Sequence, residues 1–312
     1  MDKLAVGNLI KSRRKEKKCT QEELCSGICS IASLSRIENG KAGNREKSYI
    51  PSLFERLGMS ADSLNEIISE DDYSVRQMIR RANQANCFGD REEAWRILAE
   101  TRTRINNDGH KISLANEQRL LTIETELSRR DGKITVEDEQ CRLENALRMT
   151  AVNYTPDNLP AYMTNMEHQI LGHIAITYYE LEQSETAIRI YYHVKNFLET
   201  YVDDKMYSAG QLTHLCYNLS KMLGLAGRYD ECISVCHDGL DWHKYTGLEE
   251  TYPLTMYNCA WSLARRNKEG DLEEAKKLAY GSLELANVMS KYIRVSPTLA
   301  GHIQKLIDEY LS

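Results

Sequence analysis

Three phenylalanines and five prolines are all that 312 residues contain of those two types, against eighteen tyrosines. Proline removes a helix hydrogen bond and clashes with the preceding turn, so its scarcity leaves room for long helices. Apolar residues recur at helical spacing along nearly the whole chain, and the sequence predicts an all-α protein. No run approaches the roughly 18 apolar residues that a membrane span requires. The opening MDKLAVGNLIKSRRKEKK has charge on both sides of a very short apolar stretch, unlike a secretory leader. A cytoplasmic protein without a membrane partner is expected.

The nine cysteines include no C-x-x-C pair, so neither a disulfide framework nor a zinc ribbon is signalled. Cys25 and Cys29, like Cys232 and Cys236, have a spacing that could clip a metal or form a redox switch, but are read as small buried residues. The eight histidines form no ligand-like cluster, and no phosphate loop, nucleophile elbow or carboxylate pair with a partner histidine occurs. No catalysis, metal or cofactor is expected.

Charge is uneven along the chain. Residues 1–60 carry 12 Lys and Arg against 7 Asp and Glu, which leaves 28 against 39 for the remainder. A basic start on an acidic protein suggests a polyanionic partner at one end. Length fits a short domain followed by a helical array.

The basic segment has ordered punctuation. Leu4, Val6, Leu9 and Ile10 give a first helix an apolar side, while Lys11, Arg13, Arg14, Lys15, Lys17 and Lys18 crowd its end, where cations favour the helix dipole. Thr20 and Glu23 have capping-box spacing, so a second helix begins at Gln21. Gly27 closes it, Ser30 caps a third helix carrying Leu34 and Ile37 inward, and Asn39-Gly40 ends that one. Two short helices across a tight turn, behind a basic helix, are the parts of a helix-turn-helix. Pro51 is tolerable in the first turn of a following helix.

On the motifs Thr20-Gln21-Glu22-Glu23-Leu24 and Ser35-Arg36-Ile37-Glu38-Asn39-Gly40-Lys41, with Leu53–Gly58 and Ser60–Leu64 supplying later helices, the first 65 or so residues resemble the Xre/phage-repressor family. The resemblance implies a five-helix, lambda-repressor-like domain over residues 1–69 that binds double-stranded DNA. It implies that Gln21 faces DNA, that Ile31, Ala32, Ser33 and Arg36 read bases, and that Asn39 and Lys41 hold the phosphate backbone. Arg14 and Glu38 match an internal salt bridge. This chain departs from the family by placing Ile31 and Ala32 at the head of the recognition helix, where Gln, Arg or Lys is common. Those two can meet thymine methyls but form no side-chain hydrogen bonds to base edges.

Beyond residue 69 the sequence echoes itself. Acidic or polar runs lead to a small residue at Ala94, Cys141, Ala187, Cys232 and Ala275, at separations of 47, 46, 45 and 43 residues. A further helical stretch precedes each echo, so residues 70–312 read as stacked helix hairpins. With Gly172, Gly224, Tyr229 and Leu240 this resembles tetratricopeptide repeats of unusually long period. A right-handed superhelix follows from that resemblance, sealed by a last helix from Ser296 to Leu311 with Leu299, Ile303, Leu306 and Ile307 inward.

Asn218 and Asn258 each follow a tyrosine in corresponding helices, and His173 holds the matching place one repeat earlier. A repeated amide can donate to and accept from a peptide bond at once. The same asparagines could equally be satisfied by a neighbouring helix. The order of the two parts resembles the peptide-responsive regulators of the Rgg/NprR/PlcR/PrgX superfamily, PlcR type closest at the amino terminus. This implies a homodimeric transcriptional regulator of the quorum-sensing kind, whose repeats bind a short signalling peptide through His173, Asn218 and Asn258. The competing expectation is an interaction scaffold, in which the repeats bind a protein partner and the helix-turn-helix only localises it on DNA.

Overall fold

The computed structural model describes residues 3–59, 70–107, 112–247, 249–291 and 298–311. Among them the chain is helical, and its β pairing is limited to a single bridge between Thr155 and Asn158. Two compact units are present, Met1–Ile190 and Tyr191–Ser312.

The first unit opens with five helices, α1 (Lys3–Glu16), α2 (Gln21–Cys25), α3 (Ile31–Glu38), α4 (Asn44–Lys47) and α5 (Ile50–Arg56). They enclose Ile10, Leu24, Leu34, Ile37, Leu53 and Leu57. Pro51 lies in the first turn of α5, where its missing amide hydrogen has no helical partner in any case. The single turn of α4 was not expected from the sequence. The anticipated helix at Ser60–Leu64 and the domain limit at residue 69 lie outside the described residues.

On α1 the inward stripe is narrower than its apolar pattern predicts. Val6 and Ile10 are buried, but Leu4 and Leu9 are about half exposed, at 52% and 48%. α3 approaches α1 closely at Gly7. A Cβ on Gly7 would lie 2.1 Å from the Ile37 carbonyl oxygen, so the face around Gly7 meets α3. One further turn along the Val6–Ile10 stripe stands Arg14, aimed at Glu38.

The unit continues with α6 (Glu70–Cys87), α7 (Arg91–Asn107), α8 (Leu114–Arg130), α9 (Val136–Arg148), α10 (Asn165–Glu180) and the beginning of α11 (Ser184–Thr200). Val75 and Ile79 of α6 pack with Ile97 and Leu98 of α7 and Leu120 of α8. Ala94 is fully buried as the repeat requires, but Cys141 is exposed. The inward set of α9 is Leu143, Ala146 and Leu147, the same i, i+3, i+4 pattern as Ala94, Ile97 and Leu98. The acidic run therefore places this repeat two residues early, and a leucine fills the small position.

The second unit holds α12 (Lys205–Leu225), α13 (Tyr229–Thr246), α14 (Thr251–Arg266), α15 (Asp271–Met289) and α16 (Leu299–Leu306), which runs into a π-helical turn at Ile307–Leu311. Its small positions serve close packing. The Cys232 thiol donates to the Ser220 carbonyl of α12 at 3.1 Å and accepts from the Ser262 hydroxyl of α14 at 2.9 Å. Leu299, Ile303, Leu306 and Ile307 are buried as expected, while Ser296 and Pro297 lie outside the described residues.

Within the first unit the amino-terminal helices are locked to the hairpins by a buried ion pair. Arg56, at the end of α5, and Glu167, in the first turn of α10, are 3% and 0% exposed. Arg56 Nη2 donates to Glu167 Oε1 at 2.7 Å and to the Thr150 carbonyl at 3.0 Å. Its Nη1 donates to the carbonyls of Leu24 and Ser26. Glu167 also accepts from the Thr164 amide at 2.6 Å, closing the capping box of α10. Burial works to raise the Glu167 pKa, yet the charge and hydrogen bonds of Arg56 bring it below the ordinary carboxylate value. Next to the pair, Glu55 accepts from the Asn165 amide at 3.1 Å and lies 3.6 Å from Arg119. Gly27, at φ +69°, sits so close to Thr150 that a Cβ would fall 1.8 Å from its carbonyl oxygen.

Breaking one side of a buried pair costs about 3–5 kcal/mol, because the other charge stays buried. Glu167→Gln keeps a side chain suited to the cap and removes the charge. It is expected to lower the stability of the full-length chain by that amount, and Arg56→Met added to it should recover none of the loss, because the carbonyls of Leu24, Ser26 and Thr150 then lose their donor, as read from urea midpoints. Equal midpoints for the wild type and Glu167→Gln would refute the clamp.

His168, buried beside Glu167, has its pKa pushed down to about 4 by burial. The unfolded chain, at about 6.5, binds the proton more readily, so His168 contributes stability above that pH and loses it as pH falls toward 4. Between pH 7 and pH 5 its share of the loss is about 2 kcal/mol. A His168→Gln chain should show a correspondingly shallower decline in denaturation free energy, and an unaltered decline would show that His168 is not the group titrating.

Candidate nucleic-acid interface

Both helices of the helix-turn-helix begin at side-chain caps. Thr20 accepts from the Glu23 amide at 3.1 Å, and the Glu23 carboxylate accepts from the Thr20 amide at 2.7 Å. These hydrogen bonds hold the Glu23 pKa below the usual carboxylate range. α2 closes at Cys25, the backbone turns left-handed at Gly27, and Ser30 Oγ accepts from the Ser33 amide at 3.1 Å to start α3. Such caps satisfy amides that a short helix leaves without partners.

Glu38 orients α3 from the inside. It is 2% exposed and takes Arg14 Nε and Nη2 at 2.6 and 3.1 Å. Arg14 Nη1 meanwhile donates to the Cys19 carbonyl at 3.0 Å, tying α1, the start of the motif and α3 together. A two-pronged guanidinium–carboxylate contact fixes direction as well as distance. The expected internal salt bridge is present.

The outer side of α3 carries the predicted reading residues. Ile31, Ala32 and Arg36 are exposed, Ser33 is half-buried, and Asn39 and Lys41 are exposed beyond the helix end. Arg36 Nε donates to Glu46 Oε1 at 3.0 Å and Nη2 to the Lys41 carbonyl at 3.3 Å. Exposed pairs of this kind contribute about 0–1 kcal/mol, so Arg36 can be redirected at small cost. Asn39 Nδ2 donates to the Ser35 carbonyl at 2.8 Å and closes the helix. Gln21 takes a different place from the other candidates: half-buried, it donates to Glu38 Oε2 at 2.8 Å and belongs to the supporting network.

The repeat candidates are engaged with their own helices' neighbours. His173 lies 3.4 Å from Glu126 on α8. In the second unit, Asn218 hydrogen-bonds the buried Tyr191 phenol, whose pKa burial pushes up. Asn258 Nδ2 donates to the Tyr217 carbonyl at 3.2 Å and to Ser220 Oγ at 3.0 Å, both on α12. For Asn258 the interhelical use named as an alternative is the one adopted by the amide donors.

Sequence reading missed Arg56 and Glu167. The capping-box spacing of Thr164 and Glu167 marks a helix start, but nothing local ties Glu167 to an arginine 111 residues earlier. Among the described residues no group of three or more His, Cys, Asp or Glu side chains is arranged to hold a metal. Nor, among them, is any helix long and apolar enough to cross a membrane.

A scan against protein-family models finds no match, and a search of curated proteins finds none either. Solved structures do match. Bacillus thuringiensis PlcR in complex with the peptide PapR7 and DNA superposes with a TM-score of 0.58 at 16% identity, covering 99% of this chain and 100% of that one. The apo form of PlcR gives 0.58 at 15%, covering 97% and 99%. BtubC from P. vanneervenii gives 0.52 at 16%, covering 72% of this chain and 85% of its own. At this level of identity the likeness to PlcR is one of fold alone.

Proposed function

We propose that this protein is a cytoplasmic, homodimeric transcriptional regulator that binds double-stranded DNA through α3 and senses a short signalling peptide through its hairpins. One observation carries the DNA reading. α3 is capped at its start, held from behind by Arg14 and Glu38, and bare on the side that displays Ile31, Ala32 and Arg36. Such a rigid, exposed helix suits a major groove, where Ile31 and Ala32 meet thymine methyls and Arg36 a guanine edge. Lys41, the closing turn at Asn39 and the basic end of α1 suit phosphates. Two copies would read paired half-sites about one helical turn apart. Peptide sensing is supported by the fold shared with PlcR, which was solved with both a peptide and DNA.

Binding of the full-length chain to duplexes from its own upstream region, read by fluorescence anisotropy, is expected to weaken steeply with salt. Lys41→Ala should lower the salt slope by about 1, whereas Arg36→Ala should cost about 1–3 kcal/mol and relax preference at one base pair. Salt-insensitive binding, or binding unchanged by both substitutions, would overturn the DNA assignment.

A further inference from the structure

The second unit contains a cavity of about 200 Å³ between α14 and α16. Tyr257, Trp261 and Arg265 line it from α14, and His302, Lys305, Leu306, Glu309 and Tyr310 from α16 and the π-helical turn. Residues 257, 261 and 265 are spaced four apart and so form one stripe of α14. Asn258, beside that stripe, turns instead toward α12.

The walls are aromatic and fixed. Gly224 on α12 leaves room for the indole, since a Cβ there would stand 3.3 Å from Trp261 Cζ3. Tyr229 of α13 meets the same ring edge-on at 6.1 Å. Tyr257 stacks with His302 at 6.4 Å. The two family-like repeat residues, Gly224 and Tyr229, thus set the position of Trp261.

The rim carries two cations, Arg265 and Lys305, and one carboxylate, Glu309. The Arg265 guanidinium lies 4.2 Å from the Trp261 ring centroid and 5.4 Å from that of Tyr310. Among the described residues no carboxylate pairs with it within 4.0 Å. Lys305 lies 3.6 Å from Glu309, an exposed pair that yields readily to a competing anion. Stacked on aromatic rings, Arg265 keeps its planar fork of donors for a carboxylate while its position is already fixed.

Size and chemistry narrow the occupant. Pockets that enclose a whole small-molecule ligand measure about 300–1,000 Å³, so this one suits a single large side chain of a longer ligand. Aromatic walls call for an apolar or aromatic side chain, and the uncommitted guanidinium calls for an anion beside it. We infer that this cavity receives the carboxyl-terminal residue of a short peptide, its apolar or aromatic side chain between Tyr257 and Trp261 and its free α-carboxylate on Arg265, with Lys305 in support. The inference rests on the peptide-sensing reading and adds to it the end of the peptide that is recognised and the kind of residue found there.

A random heptapeptide library with free carboxyl termini, selected on the full-length chain, provides the probe. Enriched sequences are then synthesised as the acid and as the carboxyl-terminal amide. Selection should favour an apolar or aromatic last residue, and the amide should bind at least about tenfold more weakly than the acid. Arg265→Met should weaken the acid by a similar factor and erase the difference between acid and amide. Lys305→Met should do so in part, giving a second, exposed substitution should the first disturb packing. Peptides bound with equal affinity as acid and amide, or without preference at the last position, would overturn the assignment of this cavity while leaving peptide sensing intact. Enrichment of no peptide at all would overturn both.

Discussion

The first unit depends on the guanidinium of Arg56. It bonds to the buried Leu24 carbonyl near the end of α2, to the turn before α3, to the residue Thr150 beyond α9, and to the carboxylate in the first turn of α10. Removing a cation and a carboxylate from water is costly, and here the cost is offset by filling nearly every donor direction of the arginine. An apolar pair of similar size would occupy the space yet leave three carbonyl oxygens without donors, each a penalty of about 1–3 kcal/mol. Orientation is thus specified together with contact.

From that anchor the positioning of α3 follows in short steps. Arg56 holds the carbonyl of Ser26, Gly27 reverses the backbone against Thr150, Ser30 caps α3, and Glu38 on its far end is gripped by Arg14. Every residue along this path is buried or hydrogen-bonded, while the outward residues of α3 carry almost no structural duty. A helix fixed at both ends and free along one side can be altered in specificity without being altered in fold. The hairpins contribute Thr150 and Glu167 to the same path, so a shift in the connection between α9 and α10 would be felt at the turn before α3.

What the sequence disclosed was local or had a repeating partner. The caps at Thr20 and Ser30, the closing Asn39-Gly40 and the Arg14–Glu38 bridge are each written within a few residues or within a motif, and all four are present. The inward face of α16 was equally legible from its spacing. What was hidden was long-range or degenerate. Arg56 and Glu167 look like ordinary surface charges until the fold brings them together. The acidic run before Cys141 imitates those of the other repeats, but the buried Leu143 and Leu147 set a different register. Leu4 and Leu9 satisfied an amphipathic pattern, yet the fold leaves both about half exposed. At Asn258 and Gln21 a polar side chain suited either to a ligand or to a neighbour was used, in this chain, by the neighbour.

Gly27 has a consequence for how the amino-terminal helices can be exchanged. A position that combines a left-handed backbone with atomic contact to Thr150 accepts no side chain, so the amino-terminal helices and the hairpins they pack on are matched at this corner. A foreign set of amino-terminal helices grafted onto these hairpins would fit the seam only if it also brought a glycine at this corner and an arginine at the place of Arg56. Changes on the exposed side of α3 meet no such constraint.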